Sequence, residues 1–275
     1  VTGQRRGFIW IASYPKSGNT WVRFLVCNLV FGVQDSAAEL NRLAPDIHEL
    51  GAVPALPEQP VLMKTHFPST AALALGAETA GAIYVVRNPG DVMLSNYHYS
   101  RRRGDETAHE AAAFERYVGQ FLAARGDPRW IALHMGTWDD HVRGWLQVRH
   151  AFPVLPLRYE DLLADPQRGA AQICSFLGLT RSDEALALAV RGASFQRMRE
   201  IEEADIRARK VGIFYKPYLQ PSIDAGLRFM RAGQSGEGSR ALSAPLRARL
   251  AGTFGPLMQE LGYAAPAPAG RGAVV

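Results

Sequence analysis

The chain has 275 residues, 47% hydrophobic and 21% charged, a balance that suits a soluble globular protein with a sizeable core. Two classes are excluded at once: the apolar stretch 24–33 contains Asn28 and is too short for a bilayer, and the only cysteines, Cys27 and Cys174, sit in apolar helical patterns as packed thiols rather than a disulfide framework. The net charge of +5 favours an anionic ligand or partner without choosing between nucleotide and nucleic acid.

The head of the chain, Phe8-Ile9-Trp10-Ile11-Ala12-Ser13, is a nearly continuous apolar run and predicts a buried parallel-type strand. Pro15 and Gly18 break it, and Thr20–Phe31 continues as a core helix stopped by Gly32. A strand, a small-residue turn and a helix aim backbone N–H groups and a helix N-terminus at a phosphate, with Lys16, Ser17, Asn19 and Thr20 adding side-chain donors. The lysine comes early, directly after Pro15, and a single glycine follows. The turn therefore departs from the triphosphate loop that sets Gly before Lys and a metal-binding hydroxyl after it. A phosphate cradle without an obligatory metal is expected.

Residues 33–60 carry four prolines and little periodicity, and read as a long loop with short helical pieces, a binding wall or lid. A second short strand, beginning at Val61, ends in Lys64-Thr65-His66 before Pro68. Ligands of open α/β sheets sit at the carboxyl ends of strands, so these polar residues belong beside Lys16. The third strand, 82–86, ends at Arg87. Asn88 then caps a helix with Pro89 at its first position, and Arg87 and Ser95 can reach one anion. Arg101-Arg102-Arg103 reads as the solvated, suitably cationic end of that helix. Residues 109–150 read as helical with a break at 126–128, their aromatics as core, and 154–159 as a fourth strand running into a helix at Glu160. Helical patterns follow at 166–178, 182–191, 194–203 and 243–261. The expectation is one α/β domain over 1–263, a central mostly parallel sheet flanked by helices, with a disordered tail at 264–275. There is no metal-ligand spacing, internal repeat or dinucleotide glycine fingerprint.

Together these motifs resemble a family. Tyr14-Pro15-Lys16-Ser17-Gly18-Asn19-Thr20-Trp21 is similar to the 5′-phosphosulfate loop of cytosolic-type sulfotransferases, enzymes that take a sulfonate from 3′-phosphoadenosine 5′-phosphosulfate (PAPS). Lys64-Thr65-His66-Phe67-Pro68 resembles the segment carrying that family's catalytic histidine, and Arg87-Asn88-Pro89 with Ser95 resembles its 3′-phosphate motif. Weaker echoes follow in order at Tyr159-Glu160-Asp161, at Ser194-Phe195 with Met198, and at Phe229-Met230-Arg231-Ala232-Gly233. The resemblance spans about residues 8–240 and implies the P-loop-like sulfotransferase fold. Two departures stand out. The late glycine segment lacks the usual Trp and Lys, which bears on the lid and on an expected homodimer, and Asn19 stands where threonine is common.

The resemblance implies a division of roles. His66 is the general base, Lys16 the cation at the leaving phosphate oxygen, and Lys64 shares the load on the sulfonate or 5′-phosphate. Ser17, Gly18, Asn19 and Thr20 hold the 5′-phosphosulfate. Arg87, Ser95, Arg231 and Gly233 surround the 3′-phosphate, while Trp21, Tyr159, Phe195 and Phe229 are partners for adenine. The acceptor is a small-molecule hydroxyl, a phenol or alcohol, walled by loop 33–60, Tyr97–Tyr99 and the stretch 214–218. The Ala/Arg/Gly/Pro-rich composition points by analogy to a bacterial enzyme tailoring secondary metabolites in the cytoplasm. Nucleic-acid and membrane partners are not expected, because the arginines are scattered rather than striped. Two rival readings remain open. One is a phosphotransferase using ATP and Mg²⁺, with Asp91 or Asp161 as the acidic partner, and the other a nucleotide-binding protein without turnover.

Overall fold

Strand β1 (Phe8–Ser13) lies at the centre of a parallel sheet in the computed structural model, which describes residues 7–50, 59–70, 79–104 and 111–263. Its neighbours are β2 (Val61–Thr65) on one side and β3 (Thr79–Val86) on the other, and β4 (Val154–Arg158) follows β3, giving the order β2-β1-β3-β4. The near-continuous apolar character of these strands has a direct cause: both faces are covered. Trp10, Ala12, Ala82, Tyr84 and Val86 point into one core, while Ile11, Ile83, Val85, Leu62 and Leu157 point into the other. Each fully buried Ile, Val or Leu among them is worth roughly 1.5–3 kcal/mol of transfer free energy.

Helices sort onto the two faces by their apolar stripes. In chain order they are α1 (Asn19–Phe31), α2 (Ala37–Leu43), α3 (Pro89–Arg103), α4 (Ala111–Ala124), α5 (Pro128–Ala132), α6 (Trp138–Gln147), α7 (Tyr159–Ala164), α8 (Pro166–Leu177), α9 (Asp183–Gly192), α10 (Phe195–Arg207), α11 (Gln220–Asp224), α12 (Glu237–Ala241) and α13 (Ala244–Glu260). Helices α3, α4, α6 and α13 cover the face bearing Trp10, and their aromatics Phe121, Trp138, Trp145 and Phe254 are core, as the sequence pattern indicates. Helices α1, α8, α9 and α10 cover the other face. Asn88 caps α3 as expected, its side chain accepting the Gly90 N–H at 2.9 Å.

Two sequence expectations change here. Arg102 is not part of a solvated helix end. It is 3% exposed, and its guanidinium donates to the Phe214 carbonyl, because α3 is long enough to carry its last turn under the 214–229 segment. The helix expected at 194–203 runs on to Arg207, covering Met198 and Ile201 with its apolar side. Residues 51–58 of the proline-rich loop and the tail expected at 264–275 lie outside the described residues. Among the described residues no helix is long and apolar enough to cross a membrane, and both cysteines are free and buried.

Candidate active site

Each of the four strands delivers a residue to one cavity at its carboxyl end, beside the point where the strand order reverses. Strand β1 leads into Lys16 and Gly18, β2 into His66, β3 into Arg87, and β4 into Tyr159. The cavity holds about 400 Å³ and also takes in Lys64, Asn19, Thr20, Trp21, Ser95, Phe195, Phe229, Arg231 and Gly233. Ser17 is the one expected site residue absent from the wall. It is 1% exposed, its N–H donates to the Tyr14 carbonyl at 3.3 Å, and its Oγ is buried without a partner.

The turn after β1 is built on two left-handed residues, Lys16 at φ 69° and Gly18 at φ 100°. A Cβ on Gly18 would come within 2.5 Å of the Tyr159 ring, so only glycine fits. Gly18 is also the N-cap of α1, and no side chain caps that helix, which leaves its N-terminal N–H groups for another acceptor. Asn19 faces the strand: its amide donates to the Ile11 carbonyl at 3.0 Å and to Ser13 Oγ at 3.3 Å, tying the turn to β1.

Lys16 Nζ sits 4.2 Å from the ring centroids of both Tyr99 and Phe229, with no hydrogen bond or ion pair to another described residue. Burial, reinforced by Arg102 and Arg87, lowers its pKa to about 7. Phe229 thus lies on Lys16 and apart from the second cavity, an apolar space of about 220 Å³ walled by Trp21, Leu163, Val190, Phe195, Met198 and Gly233 among others. Lys64 is held differently: Nζ is 2.7 Å from Asp46 Oδ2, and burial draws its pKa down to about 8 against that attraction. Although burial opposes its ionisation, Asp46 is kept below the usual carboxylate range by Lys64.

His66 has its ring nitrogen Nδ1 2.7 Å from the Ser13 carbonyl. A carbonyl only accepts, so Nδ1 carries the proton and Nε2 is the unprotonated nitrogen. Burial, with Lys64 nearby, holds the His66 pKa well below its ordinary value, keeping the ring neutral.

Arg87 is 9% exposed and packs over the Tyr159 ring at 4.2 Å. It donates to the Gln234 carbonyl at 2.8 Å, while its Nε has no partner. Arg231 pairs with Glu237. The segment carrying Arg231 is fastened at both ends. Glu202 accepts the N–H groups of Phe229 and Met230 at 2.6 and 2.8 Å, and Asp91 accepts those of Gly236 and Gly238, each at 2.7 Å. Gly233 lies so close to Phe195 that a Cβ would meet its ring at 2.4 Å. Asp161 is an exposed side chain 3.7 Å from Arg158.

Sequence reasoning did not anticipate Arg102 or Trp130 in the wall, whereas Asp46 and His48 come from the 33–60 loop that it expected there. One signal existed for Arg102: Ser95, Tyr99 and Arg102 follow the four-then-three spacing of one helix face. His48 stands in an aperiodic proline-rich stretch, which points to a wall without singling out the residue. Of the expected acceptor wall, Asp46, His48 and Glu49 of the 33–60 loop, Tyr99, Lys216 and Tyr218 line the cavity, while Tyr97 and Phe214 are core.

A half-buried lysine whose Nζ has no polar partner among the described residues, an uncapped helix N-terminus, and Ser17 Oγ and Arg87 Nε without partners form a donor set that fits a ligand with several anionic oxygens. Comparison with known proteins points the same way. The sulfotransferase domain matches residues 7–262. The chain is 32% identical over 197 residues to Sulfotransferase 2B1 of Homo sapiens, a match covering 70% of this chain and 52% of that protein, so it spans about half that relative's length. With Sulfotransferase 1A1 of Canis lupus familiaris it shares 28% identity over 270 residues, 92% of this chain and 83% of that one. The crystal structure of mouse sulfotransferase SULT7A1 complexed with PAP superposes with a TM-score of 0.65 at 21% identity, covering 94% of this chain and 86% of that chain. Retinol dehydratase in a complex with retinol and PAP superposes at 0.67 and 19% identity, covering 92% and 81%.

Proposed function

This chain belongs to the sulfotransferase domain family, and from that premise we propose that it moves a sulfonate from PAPS to the hydroxyl of a small molecule, with His66 as the base and Lys16 as the cation at the leaving oxygen. The observation that carries this reading is the pairing of the two side chains in one cavity: an unpaired lysine on the β1 turn, and a histidine whose Nδ1 is committed to the Ser13 carbonyl. The donor supplies a sulfonate already activated by its bond to a phosphate.

This chain's residues divide the remaining work. His66 Nε2 accepts the acceptor's hydroxyl proton, help worth typically about 10²–10⁴-fold. Lys16, between two aromatic rings and without an ion pair among the described residues, stabilises negative charge gathering on the phosphate side. The turn at Gly18 and the α1 N-terminus hold the 5′ end, with Thr20 beside them. Arg87, Ser95 and Arg231 select a 3′-phosphate, and Trp21, Tyr159 and Phe195 lie against adenine at the second cavity. Lys64, paired with Asp46, plays the smaller electrostatic part.

Tyr99, Trp130 and Tyr218 give the acceptor side aromatic walls, which favour a phenol or a bulky hydroxylated natural product. A bacterial secondary metabolite in the cytoplasm is the finer reading, resting on composition. One catalytic domain over 1–263 belongs to the same reading, and so does a homodimer, which light scattering tests: a monomer mass at working concentration removes it.

The first test is calorimetric titration with adenosine 3′,5′-bisphosphate, 5′-AMP and ATP, with and without Mg²⁺. Tight metal-independent binding of the 3′-phosphorylated nucleotide alone is expected. Preference for ATP, appearing only with Mg²⁺, overturns the reading in favour of a phosphotransferase.

A further inference from the structure

The His66 backbone lies one residue beyond the end of β2, where the sheet no longer supplies its hydrogen bonds. Two other histidines supply them instead. The His66 N–H donates to His48 Nε2 at 2.8 Å, and the His66 carbonyl accepts from His141 Nε2–H at 3.1 Å. His141 is fixed in turn, its Nδ1 lying 3.0 Å from the Tyr84 hydroxyl. With the ring held by Ser13, the residue is fastened at its amide, its carbonyl and its imidazole.

We propose that His48 is a positioning residue for the sulfonyl-transfer reaction: by accepting the His66 N–H it holds the base in the orientation from which Nε2 faces the acceptor. The inference rests on the reading of His66 as that base. The surrounding structure presents His48 for this contact. It sits on a short turn, Ile47–Glu49, capped by the Asp46 carboxylate, which accepts the His48 N–H at 3.0 Å and the Lys64 ammonium at 2.7 Å. Lys64 N–H donates to the Pro45 carbonyl at 2.8 Å, fastening the turn to β2. The His48 ring packs on Phe67 with centroids 4.2 Å apart and faces His66 at 5.8 Å.

The contact demands a neutral His48 with its proton on Nδ1, since an imidazolium carries protons on both nitrogens and accepts nothing. Burial and the nearby Lys64 hold His48 in that form, with its pKa drawn down to about 4. A neutral acceptor also suits a base. A carboxylate in the same place would put a negative charge beside His66 and favour its protonated form.

Two substitutions separate hydrogen bonding from packing. His48→Phe keeps the ring against Phe67 and removes the acceptor, whereas His48→Gln removes the ring and keeps an acceptor oxygen. The readouts are amide exchange at His66 by NMR, the affinity for adenosine 3′,5′-bisphosphate, and kcat and KM with PAPS and 4-nitrophenol as probe acceptor. In His48→Phe the His66 amide exchanges faster and kcat falls about tenfold, the worth of one such bond, with nucleotide affinity nearly unchanged. His48→Gln stays closer to wild type in both. The reverse order, or unchanged His66 exchange in His48→Phe, overturns the proposal, and the exchange readout needs no acceptor. In the wild-type protein, ¹⁵N spectra are expected to show His48 protonated at Nδ1; protonation at Nε2 overturns the proposal with no variant at all. His66→Ala run alongside keeps the two ideas apart, since full turnover there removes the base assignment itself, whatever His48 does.

Discussion

Lys16 adopts a left-handed backbone conformation that few non-glycine residues take, and it does so at the centre of the cavity. That geometry turns its side chain between Tyr99 and Phe229, where burial and two nearby arginines leave its pKa at about 7. An anionic nucleotide beside Nζ favours the charged form, so the pKa rises on binding. The sign follows: above pH 7 the free protein has lost this proton and the complex regains it. Adenosine 3′,5′-bisphosphate is expected to bind with proton uptake at pH 8, and its affinity is expected to weaken as pH rises past 7. Calorimetry in buffers of different ionisation enthalpy measures the uptake, and zero uptake at pH 8 contradicts the assignment. His66 acts at a separate step. His66→Ala is expected to lower kcat by about 10²–10⁴-fold while leaving nucleotide affinity within a few-fold. A variant with ordinary turnover would sink the base assignment. The sequence picks out both residues, since each ends an apolar strand. It conceals the Asp46–Lys64 pair, which forms only because residues 45–48 return alongside β2.

The turns and loops at the strand ends decide whether these side chains meet. Gly18→Ala places a methyl group 2.5 Å from the Tyr159 ring at a φ of 100°, so the turn must shift or Tyr159 must leave. Nucleotide affinity is expected to drop at least tenfold, and calorimetry with adenosine 3′,5′-bisphosphate measures it; unchanged affinity means that the turn does not hold the nucleotide. The 229–238 segment depends on Asp91 in a similar way. Asp91→Ala leaves two N–H groups without their carboxylate, bonds worth about 1.5–3 kcal/mol each when an ionised group accepts. The variant is expected to lose discrimination for the 3′-phosphate and to be cleaved faster between 229 and 240 in limited proteolysis; unaltered cleavage contradicts that role. The strands were legible because both sheet faces are buried, which makes them apolar without interruption. The cap at Asn88 was legible because Asn-Pro has a local meaning. The acceptor wall was legible only as segments: residues of the 33–60 loop, Tyr99, Lys216 and Tyr218 do line the cavity. Asp46 and His48 could not be singled out in a stretch without hydrophobic period, and Trp130 and Met135 reach the cavity only through the tertiary fold.

Across the whole molecule, the neutral histidines couple the site to stability in acid. His141 is buried, hydrogen-bonded to Tyr84 and His66, and held by burial at a pKa of about 3. His48 is held at about 4, also chiefly by burial. In the unfolded chain both titrate at about 6.5. Between pH 6.5 and 4, therefore, the unfolded chain binds protons that the folded chain refuses. The stability these groups contribute is complete above pH 6.5 and is lost as pH falls toward their folded values. Each contributes a slope of up to about 1.4 kcal/mol per pH unit. Carboxylates such as Asp46 and Glu203, held below their ordinary values by cations, act on the same side but lower, and Asp205, raised by burial, acts in the opposite sense, so the difference between wild type and a His141 variant over 6.5 to 4.5 is what isolates His141. Chemical denaturation of wild type and His141→Gln across that interval measures the difference. Glutamine offers a neutral donor and acceptor and takes up no proton, so its curve is expected to be flatter by close to one proton, with some stability lost at neutral pH. Parallel curves mean that His141 is already charged in the folded protein. The hydrogen bond to the His66 carbonyl would survive that result, but the Tyr84 hydroxyl would then need another acceptor.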